Sequence, residues 1–224
     1  MIESFADEGA LAAAAAAATT DALARGLAAR GHASLIGTGG RSPAPIYDAL
    51  QDADLDWGRV TVSLSDDRFL PATSPDSNEH LVRERLLRGR AAAATFLPLY
   101  ANAPSPEAAA DMAEPHIRAL APFDMLLLGM GEDGHVASLI PGSPVMEAGL
   151  DATGDRFVIG VPAGVGSPPV ARISLTLPAL SQARATLVLI RGEVKRKIVQ
   201  HGSGLPVHAL IKQAKAPLRV LWAP

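Results

Sequence analysis

The chain has 224 residues, of which 48% are hydrophobic and 19% charged, with a net charge of −3 and no cysteine. This composition excludes a disordered chain, and the near-neutral charge argues against nucleic-acid or membrane partners, which want a basic face. It also excludes disulfides, thiol nucleophiles and thiolate-held metals, and it suits a reducing cytoplasm, the expected location.

The length fits one α/β domain over residues 1–224. The N-terminus carries Glu3, Asp7 and Glu8, the opposite of a secretory signal. The alanine run Ala12 to Ala18 is too short and too weakly apolar to cross a bilayer and reads as a first helix stopping at Gly31. Ala33 to Gly37 is a short buried strand, followed by a glycine-rich loop and a helix over Ala44 to Gln51. Arg59 to Leu64 is the next strand, and Ser65 to Pro75 reads as a polar loop. Asp76 is the expected cap of a helix through Leu87, with Glu79 completing a capping box. Thr95 to Leu99 is a strand, and Ser105-Pro106 starts a helix that runs to Leu120.

Phe123 to Leu128 is almost wholly apolar, as a central parallel strand should be. Strands follow at Arg156 to Val161, Arg172 to Leu177, Ala185 to Ile190 and Leu218 to Trp222. Helices fill Pro178 to Ala183, Glu193 to His201 and Leu205 to Gln213, while Gly160 to Pro169 is a loop within the domain. The alternation predicts a mostly parallel central sheet with helices on both faces.

In such an open sheet ligands bind beyond the carboxyl ends of the strands. Three strand-end segments carry unusual chemistry. In Gly37-Thr38-Gly39-Gly40-Arg41-Ser42-Pro43, glycines let backbone N–H groups approach an anion, a helix N-terminus follows, and Arg41 and Ser42 add donors. The alternative is an ordinary tight turn. Ser65-Asp66-Asp67-Arg68 with Asp76-Ser77-Asn78 offers contacts to substrate hydroxyl or carbonyl groups, against helix capping and a surface ion pair as the plainer readings.

Gly129-Met130-Gly131-Glu132-Asp133-Gly134-His135 matches a dinucleotide-binding G-x-G-x-x-G. Glu132 and Asp133 would repel a pyrophosphate, and Pro141-Gly142 cuts the following helix short, so that reading is disfavoured. His135 stands out instead. An imidazole titrates near neutral pH, and Asp133 two residues earlier can fix its tautomer, which makes His135 a candidate general base. No second histidine stands at a metal-ligand spacing, so no metal is expected. Arg172 and Lys195 read as solvated charges taken singly, but a dianionic phosphate gives both a reason to converge.

These residues, in order from about 37 to 197, resemble the 6-phosphogluconolactonase family. Gly39-Gly40-Arg41-Ser42-Pro43 resembles its glycine-rich loop, and Asp66-Asp67-Arg68 with Ser77-Asn78 resembles its Asp-Glu-Arg and Ser-Asn motifs. Phe123 to Leu139 resembles its signature, and Arg172 to Thr176 and Gly192 to Lys195 resemble two further blocks. The resemblance implies an open sheet related to that of glucosamine-6-phosphate deaminase. It also implies hydrolysis of 6-phospho-D-glucono-1,5-lactone in the oxidative pentose phosphate pathway, without a cofactor. Departures are Asp67 for the usual glutamate, Glu132 for proline, Val136 for threonine and Ile140 for phenylalanine.

The expected catalytic residues are His135 and Asp133. The expected substrate contacts are Gly39, Gly40, Arg41, Ser42, Asp67, Arg68, Asn78, Gly131, Arg172 and Lys195, although the residues alone do not choose between Asp66 and Asp67. Oxyanion donors are left open between the glycine-turn N–H groups and Arg68. The partner is a small sugar-phosphate lactone. The rivals are a deaminase or isomerase of the same fold and a sugar-phosphate sensor. The first is disfavoured by Arg68 at an aromatic position of the deaminase pattern, the second by the lack of a DNA-reading helix pair before the first strand.

Overall fold

The computed structural model describes residues 2–224. It opens with a short strand β1 (Ile2–Ser4) and a long helix α1 (Glu8–Arg30). Asp7 caps α1 by accepting the Ala10 N–H at 2.8 Å, and Gly31 ends it at φ 75°, a left-handed turn that suits glycine. The chain passes directly into β2 (Ala33–Gly37), then α2 (Ala44–Leu50), β3 (Val60–Leu64) and β4 (Asp66–Arg68). Next come α3 (Asn78–Arg85), β5 (Thr95–Phe96), α4 (Pro106–Leu120), β6 (Met125–Gly129) and α5 (Met146–Leu150). The remainder is β7 (Val158–Val161), β8 (Arg172–Leu175), α6 (Leu177–Leu180), β9 (Thr186–Arg191), α7 (Gly192–His201), α8 (Pro206–Gln213) and β10 (Leu218–Ala223).

Seven strands form one sheet in the order β1-β10-β9-β6-β2-β3-β5, and every pairing in it is parallel. Its middle is apolar on both sides: Leu35, Ile36, Leu126, Leu127, Leu128 and Val188 are wholly buried between the sheet and the helices that flank it. From β2 the chain moves outward to β3 and β5. From β6, on the other side of β2, it moves outward to β9 and β10. The connections therefore diverge between β2 and β6, which opens a crevice at the carboxyl ends of those two strands.

The structure departs from expectation in four places. The segment expected as a polar loop contains β4, which joins β8 and β7 in a separate antiparallel sheet of order β4-β8-β7. β7 is apolar and buried along its whole length, so it looks the same whether its partner is parallel or antiparallel, whereas β8 alternates Arg172 and Ser174 with Ile173 and Leu175 although all four are buried. The cap of α3 is Ser77, not Asp76: Ser77 Oγ accepts the His80 N–H at 3.3 Å. The strand expected over Thr95 to Leu99 is paired only at Thr95 and Phe96, and β1 and α5 carry too little pattern to be foreseen.

At the amino ends of the strands, Asp124 is 4% exposed and ties three elements together. It accepts the Ser34 N–H at 2.9 Å, its own N–H donates to Ser34 Oγ at 3.1 Å, and it pairs with Arg30 at the end of α1 and with Arg184 at 3.7 Å. Gly26 of α1 comes so close that an added Cβ would lie 2.9 Å from this carboxylate. Removing it leaves a buried N–H and a half-buried guanidinium without their acceptor, so Asp124→Ala should cost about 2–3 kcal/mol. Equilibrium urea unfolding of the variant checks that loss.

Candidate active site

The crevice at the switch between β2 and β6 is a cleft of about 490 Å³, within the range of small-molecule sites. Its walls are the strand-end segments after β2, β6 and β9, the end of β4 with the start of α3, and Ser167 in the β7–β8 hairpin. Pro224, directly after β10, also reaches it.

The turn after β2 is braced from below. Tyr47 of α2 is wholly buried, and its hydroxyl accepts the Thr38 N–H at 2.8 Å and donates to the Thr38 carbonyl at 2.7 Å. Burial pushes this phenol's pKa well up, so it stays a donor. Gly40 sits at φ 92°, open only to glycine at low cost, and carries Arg41 and Ser42 into the cleft. Gly39 is needed for a different reason: a Cβ there would lie 1.9 Å from Asn78 Oδ1. Asn78 thereby reaches both sides, its Oδ1 accepting from Arg68 at 2.6 Å and its Nδ2 donating to the Asp66 carbonyl at 2.8 Å.

Asp67, expected at the substrate, is instead fully buried beneath the cleft. Its carboxylate accepts the N–H groups of Arg68 at 2.7 Å, Asn78 at 2.6 Å and Glu79 at 3.0 Å, and the Ser77 hydroxyl at 3.0 Å. It anchors the first turn of α3. Side chains alternate along a strand, so the neighbouring Asp66 faces the cleft, where it accepts from Ser138 at 2.6 Å and Ser65 at 3.2 Å.

In the turn after β6, His135 Nδ1 donates to Asp133 Oδ1 at 2.6 Å, and the His135 backbone N–H meets the same oxygen at 3.2 Å. This fixes the ring and leaves Nε2 free. Asp133 does not itself line the cleft. A Cβ on Gly131 would fall 2.2 Å from His135 Nδ1 and 2.4 Å from Asp133 Oδ1, so the hydrogen-bonded pair occupies the space a side chain would need. No helix follows this turn before Met146, which removes the long helix a dinucleotide-binding turn requires.

Arg41, Arg68, Arg172 and Lys195 all line the cleft, and among the described residues none is in an ion pair. Arg172 is 5% exposed and donates to the Pro168 carbonyl at 2.9 Å, while its Nε and that of Arg68 are buried without a partner. Burial pulls the Arg172 guanidinium pKa down, with Arg68 adding to this and Asp66 opposing it. Burial likewise lowers Lys195, opposed chiefly by Glu132 and reinforced by Arg191 and Arg41. Buried cations with unfilled donors are what an incoming anion would satisfy.

Every expected contact except Asp67 thus borders one cleft, and Asp133 stands directly behind the histidine. Of the two acids between which the sequence does not choose, Asp66 is the one that faces the cleft, and the sequence reading does not include Glu132, Ser167 and Arg191, which also line it. Arg191 had a readable signal, since it ends β9 immediately before the Gly192 turn at φ 77°. Among the described residues no three His, Asp or Glu side chains are grouped to hold a metal ion, and no helix is long and apolar enough to cross a membrane.

The chain matches, over residues 6–222, the family described as glucosamine-6-phosphate isomerases/6-phosphogluconolactonase. It is 42% identical over 224 residues to a 6-phosphogluconolactonase of Caulobacter vibrioides, covering 99% of this chain and 97% of that protein. It is also 42% identical over 205 residues to one of Pseudomonas aeruginosa, covering 88% and 84%. The crystal structure of a 6-phosphogluconolactonase from Shewanella baltica superposes with a TM-score of 0.91 at 33% identity, covering 100% and 97%. A monomeric glucosamine-6-phosphate deaminase superposes at 0.79 with 19% identity, covering 99% and 96%, a likeness of fold alone.

Burial, reinforced by the Asp66 charge and restrained by the N–H donors, pushes Asp67 up to about 6 from 3.8. Its folded-state pKa is raised, so its contribution to stability is full below about pH 4 and is lost as pH rises through about 6. The shift corresponds to about 3 kcal/mol. Urea unfolding of the wild type and Asp67→Asn at pH 4 and pH 7.5 should show the wild type losing stability relative to the variant across that interval.

Proposed function

The chain belongs to the glucosamine-6-phosphate isomerase/6-phosphogluconolactonase family, and from that membership we propose that it hydrolyses 6-phospho-D-glucono-1,5-lactone to 6-phospho-D-gluconate in the oxidative pentose phosphate pathway. The observation that carries this reading is the meeting in one cleft of a fixed imidazole and a set of unpaired cations around a glycine turn. A cysteine-free chain suits the reducing cytoplasm in which such an enzyme would work.

The phosphate docks on Gly40, Arg41 and Ser42 with Lys195 and Arg172 closing on it, and this remote binding positions the lactone ring. His135 Nε2 takes a proton from a water molecule whose oxygen attacks the C1 carbonyl carbon. Asp133 holds the opposite ring nitrogen and stabilises the imidazolium that forms. The tetrahedral intermediate collapses, the bond from C1 to the ring oxygen breaks, and the imidazolium returns its proton to that oxygen. The carboxylic acid so formed loses its proton to solvent. Cationic donors beside the reacting end, Arg68 among them, suit the negative charge that develops on the carbonyl oxygen.

His135→Ala should lower kcat about 10²- to 10⁴-fold while leaving 6-phosphogluconate binding within a few-fold of normal. A stopped-flow lactonase assay paired with calorimetric titration reads both, and undiminished turnover in that variant would refute the base assignment. Lys195→Ala should raise KM for the phosphorylated lactone about 10- to 100-fold, the value of a charge-assisted contact. Hydrolysis of unphosphorylated glucono-1,5-lactone should barely change. Release of ammonia from glucosamine-6-phosphate by the wild type would instead favour the deaminase reading.

A further inference from the structure

Ala137 sits at φ 50°, the one non-glycine residue with positive φ among the described residues. Alanine avoids this conformation, and it persists only where the surroundings over-determine it. Ala137 lies two residues beyond His135 and borders the cleft. On its upstream side the turn is held by the Asp133 contacts and by the Gly131 N–H donating to the His135 carbonyl at 3.0 Å.

On its downstream side stands Ser138, 1% exposed. The Ser138 hydroxyl donates to Asp66 Oδ2 at 2.6 Å, and the Ser138 N–H donates to Ser174 Oγ at 3.0 Å. Asp66 on β4 and Ser174 on β8 face each other in register across the antiparallel sheet. Ser138 is therefore fastened at two points to a rigid plate outside the main sheet.

We propose that Ser138 is a positioning residue for His135: latched on Asp66, it holds Ala137 in the left-handed conformation and so sets the direction from which the imidazole enters the cleft. The proposal rests on the reading of His135 as the base. It gives the small antiparallel sheet a part in the chemistry, because that sheet grips the histidine turn through Asp66 and Ser174.

The test measures kcat and KM for Ser138→Ala, Ser138→Thr, and Ser138→Ala in a background carrying Ala137→Gly, with His135→Ala alongside. Ser138→Ala should lower kcat about 10- to 100-fold, as a small misplacement of a catalytic group does, with KM within about twofold. Ser138→Thr keeps the hydroxyl and should stay within about fivefold of wild type. In the Ala137→Gly background the same Ser138→Ala change should cost less than about threefold, because glycine adopts this φ without a latch. An equal loss in both backgrounds, a loss confined to KM, or a threonine variant as poor as the alanine one overturns the proposal. Should Ser138→Ala fail to fold, Ser138→Cys, with its weak donor, replaces it in the same comparison. An inactive His135→Ala beside a fully active Ser138→Ala overturns the latch alone, whereas an active His135→Ala overturns the latch together with the base.

Discussion

The site depends on a single topological fact, the divergence of the chain on either side of the β2–β6 boundary. Two adjacent parallel strands whose continuations leave in opposite directions cannot cover the gap between their own carboxyl ends. One lip of that gap is the glycine turn with Arg41 and Ser42, and the other is the turn bearing His135. Residues nearly a hundred positions apart are thus brought face to face by strand order. Everything else at the site refines that placement: the Tyr47 brace under one lip, and the Asp133 contact and close-fitting Gly131 under the other.

The molecule divides its labour along the strand direction. At the amino ends, Asp124 binds α1, β2 and β6 in a buried network that takes no part in lining the cleft. At the carboxyl ends, guanidinium nitrogens are left without partners, and an alanine keeps an unfavourable backbone angle. A buried donor with nothing to bond is costly, and such sites survive where a ligand completes them. The small sheet β4-β8-β7 belongs to this second group, because it supplies Asp66, Arg68 and Arg172 to one wall of the cleft.

Much of this was legible in the residues, for reasons that also explain the rest. β6 announced itself as an unbroken apolar run, and glycines after β2 and β6 marked the lips because tight turns and close approaches demand them. The choice between Asp66 and Asp67 is not legible in the sequence, because a three-residue strand inside a polar stretch has no visible phase, and the phase alone decides which of two adjacent acids turns toward the cleft. The antiparallel sheet is hard to read because β7 is apolar throughout and β4 polar throughout, which leaves only the short β8 with an alternating pattern. Ser167 came from a hairpin whose glycines and prolines advertise a turn but not where its tip will rest.

The position of Pro224 on the cleft wall has a practical consequence. All strands of the main sheet run the same way, so β10 delivers Pro224 to the rim of the cleft, while Ile2, at the start of the neighbouring β1, lies at the opposite end of the strands. A purification handle or surface tether fused after Pro224 would start beside the substrate's entrance and compete with it for space. A label attached near Ile2 starts at the opposite end of the strands and leaves that entrance clear.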